Sequence, residues 1–399
     1  MKSSRGNNIP VVVVLLAAYM LVYFHRTMTG VMKPEIDYYS SYYGVEPSML
    51  LAVMASAYFY GYAASQAFTG PLLDYYGVRR VGSLMLALLG LATLVMSLPN
   101  PLTLVAGRIL IGVSAAVAFL SYMRTSALGF DISMQGRLAS YALFAGSLST
   151  ILASYPLRLL LNAAGVAPAL IILALLAFIL AVMVYATSRD EGRGRDTGSS
   201  RNPLSTLRLV AGDRHIWGAG FAGIATYGVG LAYQSAWGQI HLEKAFAMDK
   251  NTISIYIMVI AVVFTVSCIP AGYLSDKLKR RKPFLIASAS ASAASWLLMY
   301  LSTILHSTQL LLASLVTLGV SLGLHIVAPT MAKEPYDPGI SGTAVSFFNI
   351  ILFTGIAVIQ NTFTIIDPVW SIIASLLIAL AGIISTIVLT KETYKAAGT

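Results

Sequence analysis

The sequence predicts an all-α integral membrane protein of twelve transmembrane helices arranged as two six-helix bundles. Three observations predict it: an apolar excess that a soluble core does not need, twelve apolar runs near bilayer-crossing length, and a loop motif that occurs once in each half. Of 399 residues, 57% are hydrophobic and 11% charged, with a mean hydropathy of +0.76. A soluble domain of this length fills its core with a smaller apolar share, so the lipid bilayer is the expected solvent.

An α-helix needs about 20 apolar residues to cross the hydrocarbon. Runs of that kind lie at about 10 to 32, 48 to 70, 81 to 98, 101 to 123, 137 to 161 and 166 to 187. After a polar stretch, six more follow at about 216 to 240, 252 to 272, 284 to 304, 309 to 331, 341 to 364 and 368 to 390. The first run is too long for a signal-peptide core and has no small-residue cleavage site, so it reads as a retained span. The expected organisation is a first bundle over 1–187, a cytoplasmic linker over 188–215, and a second bundle over 216–399. The linker, with its RDEGRGRDTGSSRNP stretch, is charged and rich in Gly and Ser, as a flexible tether is.

The net charge of +10 does not point to nucleic acid, because the basic residues sit in short inter-helix loops rather than on a soluble face. Most of the 26 Lys and Arg fall on one side of a twelve-span topology, among them Arg79, Arg80, Arg124, Lys277 and the run from Lys279 to Lys282. The positive-inside bias therefore places both termini in the cytoplasm of a multi-pass cell-membrane protein. Cys268 is the single cysteine and lies in an apolar run, so neither a disulfide framework nor a thiolate metal site is available. No His/Asp/Glu cluster has ligand or acid-base spacing, so no metal, no cofactor and no enzyme activity are expected.

The loop after the second span reads GPLLDYYGVRR, from Gly70 to Arg80; the loop after the eighth reads GYLSDKLKRRK, from Gly272 to Lys282. Each has Gly, Leu two later, Asp two after that, and then a basic cluster, at the same place in its six-span half, so the halves are related. The glycine is expected to allow close helix approach, and the Asp to accept hydrogen bonds and pair with nearby basic groups as a conformational latch. These loops resemble the G-x-L-x-D-R-x-G-R-R signature of the major facilitator superfamily. Gly70, Leu72, Asp74, Gly77, Arg79 and Arg80 match it, and Tyr75 stands where Arg is usual. In the second copy Gly272, Asp276 and Arg280 match, with Lys277 in place of Arg and Lys279 in place of the second Gly. The resemblance implies two bundles that rock about a central site, opening it alternately to each side. The fifth span, around Gly146, lacks the Gly-Pro pair that marks many proton-driven exporters of the superfamily.

Two arginines, Arg26 and Arg108, lie inside apolar spans, where each costs roughly 2.5–3.5 kcal/mol on insertion scales. Counting ~1.5 Å per residue, both lie ~6–8 Å outward of the midplane. All 16 acidic residues fall in predicted loops or at helix edges, which leaves the negative charge to a ligand. A guanidinium fork matches carboxylate or phosphate, so a small organic anion is the expected substrate and an exporter of lipophilic compounds the alternative. Two bland readings stand beside this one: Arg108 bracing helices through backbone carbonyls, and Arg26 snorkelling to the interface. Tyr19, Tyr23, Arg26 and Gly30 share one helical stripe, which favours a site. The segment YFHRTMTGVMKPEI (Tyr23 to Ile36) is similar to the Tyr-x-x-Arg pattern of anion:cation symporters in the superfamily, whose Arg holds the substrate's anionic group. His25 here replaces an acid, and Ala115 stands where a proton-binding Glu is common. His25 and His325 are therefore the proton-coupling candidates, since imidazole titrates near neutrality. Tyr227, Gln234 and Asn349 are second-half polar groups that can complete a site or tie helices together. The expected partners are a small anionic solute, the lipid bilayer and a co-transported proton, with the chain acting as a monomer.

Overall fold

The computed structural model describes residues 9–130, 132–188, 203–336 and 338–394. These form two compact units, Met1–Arg195 and Asp196–Thr399. All described regular structure is helical.

In the first unit, α1 (Ile9–Thr27) runs through a 3-10 turn (Gly30–Met32) into the short α2 (Lys33–Tyr43). The next element, α3 (Pro47–Met96), carries the second and third spans, and the chain turns between them at Gly77 (φ 79°, ψ 166°), a left-handed conformation that favours glycine. Then come α4 (Pro101–Gly129), the pair α5 (Ile132–Leu152) and α6 (Tyr155–Ala164) bent by 42°, and α7 (Val166–Thr187). Small residues set the helix spacing. A Cβ at Gly112 would overlap the Tyr58 carbonyl, and one at Gly61 would lie 2.5 Å from the Ile109 oxygen, so α3 and α4 meet backbone to backbone.

The second unit opens with α8 (Pro203–Ala211). Its first span is α9 (Arg214–Gly223), a π-helical turn (Ile224–Gly228), α10 (Val229–Ala232), a second π turn (Tyr233–Trp237) and α11 (Gly238–Phe246). It continues with α12 (Lys250–Lys277), α13 (Lys282–Ile304), α14 (Thr308–Leu324), α15 (Val327–Lys333), α16 (Pro338–Phe363) and α17 (Pro368–Leu389). Serines tie α13 to α14: Ser288 and Ser321 each donate to the other's carbonyl (2.7 and 2.8 Å), and Ser295 donates to the Ser314 carbonyl (2.9 Å). Ser292 donates to the Ala225 carbonyl inside the first π turn (2.8 Å), where the regular helical ladder is interrupted.

All twelve predicted spans are helical. Nine described helices are individually long and apolar enough to cross a membrane, and the bent pair makes a tenth. The other two are the seventh, broken by its π turns, and the second, whose Ser, Gly and Tyr residues lower its hydropathy.

Candidate functional site

The site in the first unit grows from α1 and the first limb of α3. Tyr19, Tyr23 and Arg26 share one face of α1, and Tyr19 meets Tyr23 edge-on at 4.9 Å. The Arg26 guanidinium lies over the Tyr23 ring at 4.2 Å and the Tyr62 ring at 5.2 Å, and also hydrogen-bonds Tyr62. Arg26 is buried, at 3% exposure. Each cation–π contact contributes about 0.5–2 kcal/mol, so two offset much of the ~2.5–3.5 kcal/mol that inserting the charge costs. Tyr58, one turn before Tyr62 and stacked on it at 6.1 Å, carries Arg108 on its ring at 4.9 Å. Two arginines and two stacked tyrosines thus form a continuous ladder between α1, α3 and α4. The sequence reading missed Tyr58 and Tyr62; their i, i+4 spacing in an otherwise apolar run was the available signal.

Of the two sequence readings of Arg108, a substrate-binding group or a brace through backbone carbonyls, its contacts match the second. Arg108 is fully buried; its Nε donates to the Met54 carbonyl (3.1 Å) and its Nη1 to the His25 carbonyl (2.7 Å). No carboxylate among the described residues pairs with it. The geometry is that of a brace joining α1, α3 and α4, and the physical reason is the Gly112–Tyr58 close approach, which brings the α3 carbonyls one turn away within reach. His25 is likewise enclosed: its Nε2 lies 3.4 Å from Thr93 Oγ1 on the second limb of α3, turned away from the Arg26 face. The other buried arginine, Arg158, takes the carboxylate the sequence reading did not place. It binds both oxygens of Glu35 and donates to the Val31 carbonyl (2.9 Å), fastening α6 to α2.

In the second unit the structure brings Tyr227 and His325 together. The His325 ring is stacked between Tyr227 (5.1 Å) and Phe348 (6.4 Å), with Nδ1 2.8 Å from Thr226 Oγ1. The Thr226 hydroxyl donates to the Ala222 carbonyl (2.7 Å), so it accepts from His325, whose proton is thereby assigned to Nδ1. His325 sits at the interruption between α14 and α15, beside the first π turn. Gln234 lies on the second π turn with its amide nitrogen buried and unbonded, near the Gln360–Ser235 hydrogen bond (2.5 Å). Asn349 is half-buried on α16. His241, near the end of the seventh span, is fully buried between Tyr233 (2.9 Å) and Thr303 (2.9 Å).

The latch expectations divide. Gly77 supplies the turn, whereas among the described residues no atom lies within 4 Å of a Cβ placed at Gly70 or Gly272. Arg79 packs over the Tyr185 ring at 4.3 Å, Arg80 is exposed, and the side chain of Asp74 lies outside the described residues. In the second copy Asp276 pairs with Arg281 (2.6 Å), not with Lys277 or Arg280. Lys279 takes a left-handed conformation (φ 54°), and Ser275 closes the turn on both backbone groups of Arg280, so Arg280 points out and Arg281 in. Arg281 also reaches Glu334 (3.2 Å) and Ser275 Oγ (2.9 Å), while Glu392 accepts from its backbone N–H (2.8 Å). Burial lowers the Arg281 pKa, but Asp276 and Glu334 outweigh it, and the net shift is upward. Arg281→Ala is expected to lower stability by about 1–3 kcal/mol, partial exposure weakening a buried-pair loss, and Arg280→Ala by less than about 0.5 kcal/mol. Thermal unfolding in detergent measures both.

Beside this cluster, Asp213 caps α9 through the His215 N–H (2.9 Å) and accepts from the Tyr336 hydroxyl (2.9 Å). Burial pushes its pKa up, yet these two hydrogen bonds outweigh it and hold the carboxyl below its usual range. A depressed carboxyl adds stability that is complete above the unfolded value, about 3.9, and is lost as pH falls through the folded one. Melting temperatures between pH 5 and pH 3 are therefore expected to fall more steeply in the parent than in Tyr336→Phe.

A profile of the Major Facilitator Superfamily matches residues 15–360. The chain belongs to the major facilitator superfamily. Among solved structures, a D-xylose-proton symporter superposes with a TM-score of 0.79 at 14% identity, covering 97% of this chain and 99% of that one. The xylose transporter XylE from E. coli, partially occluded and inward open, gives 0.75 at 13% identity over 98% and 100%. A bacterial homologue of the human lysosomal transporter Spinster gives 0.71 at 13% identity over 98% of each chain. At these identities the likeness shows the fold. No curated protein sequence matches the chain. Family and fold make it a multi-pass, non-enzymatic membrane transporter.

Proposed function

We propose that this transporter moves a small organic anion, of carboxylate, sugar-acid or phosphate type, and that Arg26 anchors the anionic group. The observation that carries the proposal is the seating of the Arg26 guanidinium on the faces of Tyr23 and Tyr62. The rings carry no counter-charge to the positive charge of Arg26, and a guanidinium fork binds carboxylate or phosphate in two parallel hydrogen bonds. Arg108 serves this site as a brace that holds α1 against α3 and α4. Both ends of the chain lie on the cytoplasmic side, where the basic loops are, and the chain works as a monomer by alternating access.

His325 is the proton-coupling group in this proposal, in preference to His25. It stands where one helix is interrupted and its neighbour carries a π turn, so a change in its charge acts on two segments that lack a full ladder of helical hydrogen bonds. Protonation would add a donor at Nε2 while the Thr226 contact holds the ring. His325→Gln is expected to abolish accumulation driven by an imposed proton gradient and to retain exchange of labelled for unlabelled substrate. Loss of both, in protein that is folded, rules out a coupling role.

Uptake into proteoliposomes of a radiolabelled panel of carboxylates, sugar acids, sugar phosphates, neutral sugars and lipophilic amines tests the substrate class. Saturable uptake is expected from the first three groups. Uptake confined to neutral sugars or to lipophilic cations rejects the proposal, and the latter outcome restores the exporter alternative.

A further inference from the structure

An apolar groove lies on the surface of the second unit. The helices α16 and α17 each pack on α9 and the π turn after it, and hardly on one another. Glycines make this possible. A Cβ at Gly218 would stand 2.6 Å from Leu389 and one at Gly220 2.7 Å from Ile351, while Cβ atoms at Gly355 and Gly382 would overlap Ile224 and Ala225. The seventh span therefore sinks between its two neighbours, and an open groove of about 890 Å³ forms above it. Trp217 and Phe221 lie on its floor, and Val358, Ile384 and Val388, each at least half exposed, stand on its walls. Such a surface suits hydrocarbon; a small soluble anion would find almost no donors along it.

One end of the groove is different. There α9 starts at Arg214, one turn before Trp217, and α17 ends at Leu389, two residues before Lys391. The two ends are joined through His215, whose Nδ1 accepts from the Lys391 N–H (3.1 Å) and whose Nε2 lies 3.0 Å from the Met331 carbonyl. Arg208, Arg214 and Lys391 are exposed around this end. The nearby carboxylates are already hydrogen-bonded, Asp213 to Tyr336 and His215, and Glu392, itself exposed, to the backbone N–H groups of Arg281 and Lys282 (2.8 and 3.1 Å). The Trp217 indole donates to the Ala211 carbonyl (2.8 Å), the position of a tryptophan at the boundary between hydrocarbon and headgroups. An apolar trough thus ends in a patch of outward-facing positive charge.

We propose that the groove holds one anionic phospholipid, with an acyl chain along the trough and the phosphate against Arg214 and Lys391. This site is separate from Arg26 and stands whatever the transported solute is. Basic pockets between transmembrane helices bind anionic headgroups, each cation near the surface contributing about fivefold in affinity.

Reconstitution of the full chain in nanodiscs containing equal phosphatidylglycerol and phosphatidylcholine, followed by native mass spectrometry of the released protein, tests this. One phosphatidylglycerol per chain is expected to be retained in preference to phosphatidylcholine. Arg214→Gln and Lys391→Gln are each expected to lower retention about fivefold, and together about 25-fold. Ala381→Phe, which fills the trough, is expected to abolish retention with all charges in place. Equal retention of the two lipids in the parent overturns the proposal, as does charge dependence that survives in Ala381→Phe. The two exposed charge variants decide the matter if Ala381→Phe does not fold.

Discussion

Arg26→Ala is expected to abolish saturable uptake of the transported anion while the chain remains folded and inserted. The bound anion forms two parallel charge-assisted hydrogen bonds with the guanidinium in the proposed complex, each worth about 1.5–3 kcal/mol. Losing both raises KM by roughly 100-fold or more at tenfold per 1.4 kcal/mol. Arg26→Lys keeps the charge and loses the fork, and is expected to fall between, with KM about tenfold above the parent. Size-exclusion and thermal unfolding profiles of both variants should match the parent within about 1 kcal/mol, because in Arg26→Ala the lost contacts with Tyr23 and Tyr62 are offset by removal of a buried charge, and Arg26→Lys keeps a cation beside the rings. Initial-rate uptake as a function of substrate concentration measures the effect.

Gly112→Ala is expected to be the most damaging small substitution in the first unit. Its new methyl group would occupy the space of the Tyr58 carbonyl, so α4 must move away from α3. Overpacking of this kind costs about 1–3 kcal/mol. The displacement also draws Arg108, one turn before Gly112, off the Met54 carbonyl, one turn before Tyr58, which removes a charged hydrogen bond worth a further ~1.5–3 kcal/mol. A fall in apparent Tm of about 10 °C follows from the sum. Gly272→Ala is the control: open space surrounds that position, so Tm should stay constant or rise slightly. Equal losses at the two glycines would show that the α3–α4 approach does not support the brace.

Much of the architecture was readable in the residues because the bilayer imposes a single length and a single secondary structure on each apolar run. The six-plus-six layout and the family followed from twelve such runs and from the paired Gly-Leu-Asp loops. What could not be read was which side of a helix each polar group would take once small residues had set the helix spacing. The stripe of Tyr19, Tyr23 and Arg26 marks Arg26 as the site candidate, but the residues alone leave Arg108 open between binding and bracing; the Gly112 contact with Tyr58 gives Arg108 backbone carbonyls, while α1 and α3 give Arg26 the rings of Tyr23 and Tyr62. Arg280 and Arg281 are adjacent and equally basic, yet the left-handed Lys279 and the Ser275 turn direct one outward and the other into the Asp276–Glu334 network. The π turns around Tyr227 and Gln234 leave no mark in composition, because they depend on which carbonyl a neighbouring helix such as α13 can satisfy. Tyr62 escaped notice since a tyrosine in a membrane span is equally suited to packing.

The sharpest comparison is between a carboxylate and its uncharged counterpart of the same shape, for example a sugar acid and the corresponding polyol, in thermal unfolding of the purified parent and of Arg26→Ala. A buried cation dedicated to an anionic ligand predicts stabilisation of the parent by the acid alone, about 2.7 kcal/mol at 100 times Kd, and none in Arg26→Ala. Stabilisation by the polyol equal to that by the acid, undiminished in Arg26→Ala, contradicts it.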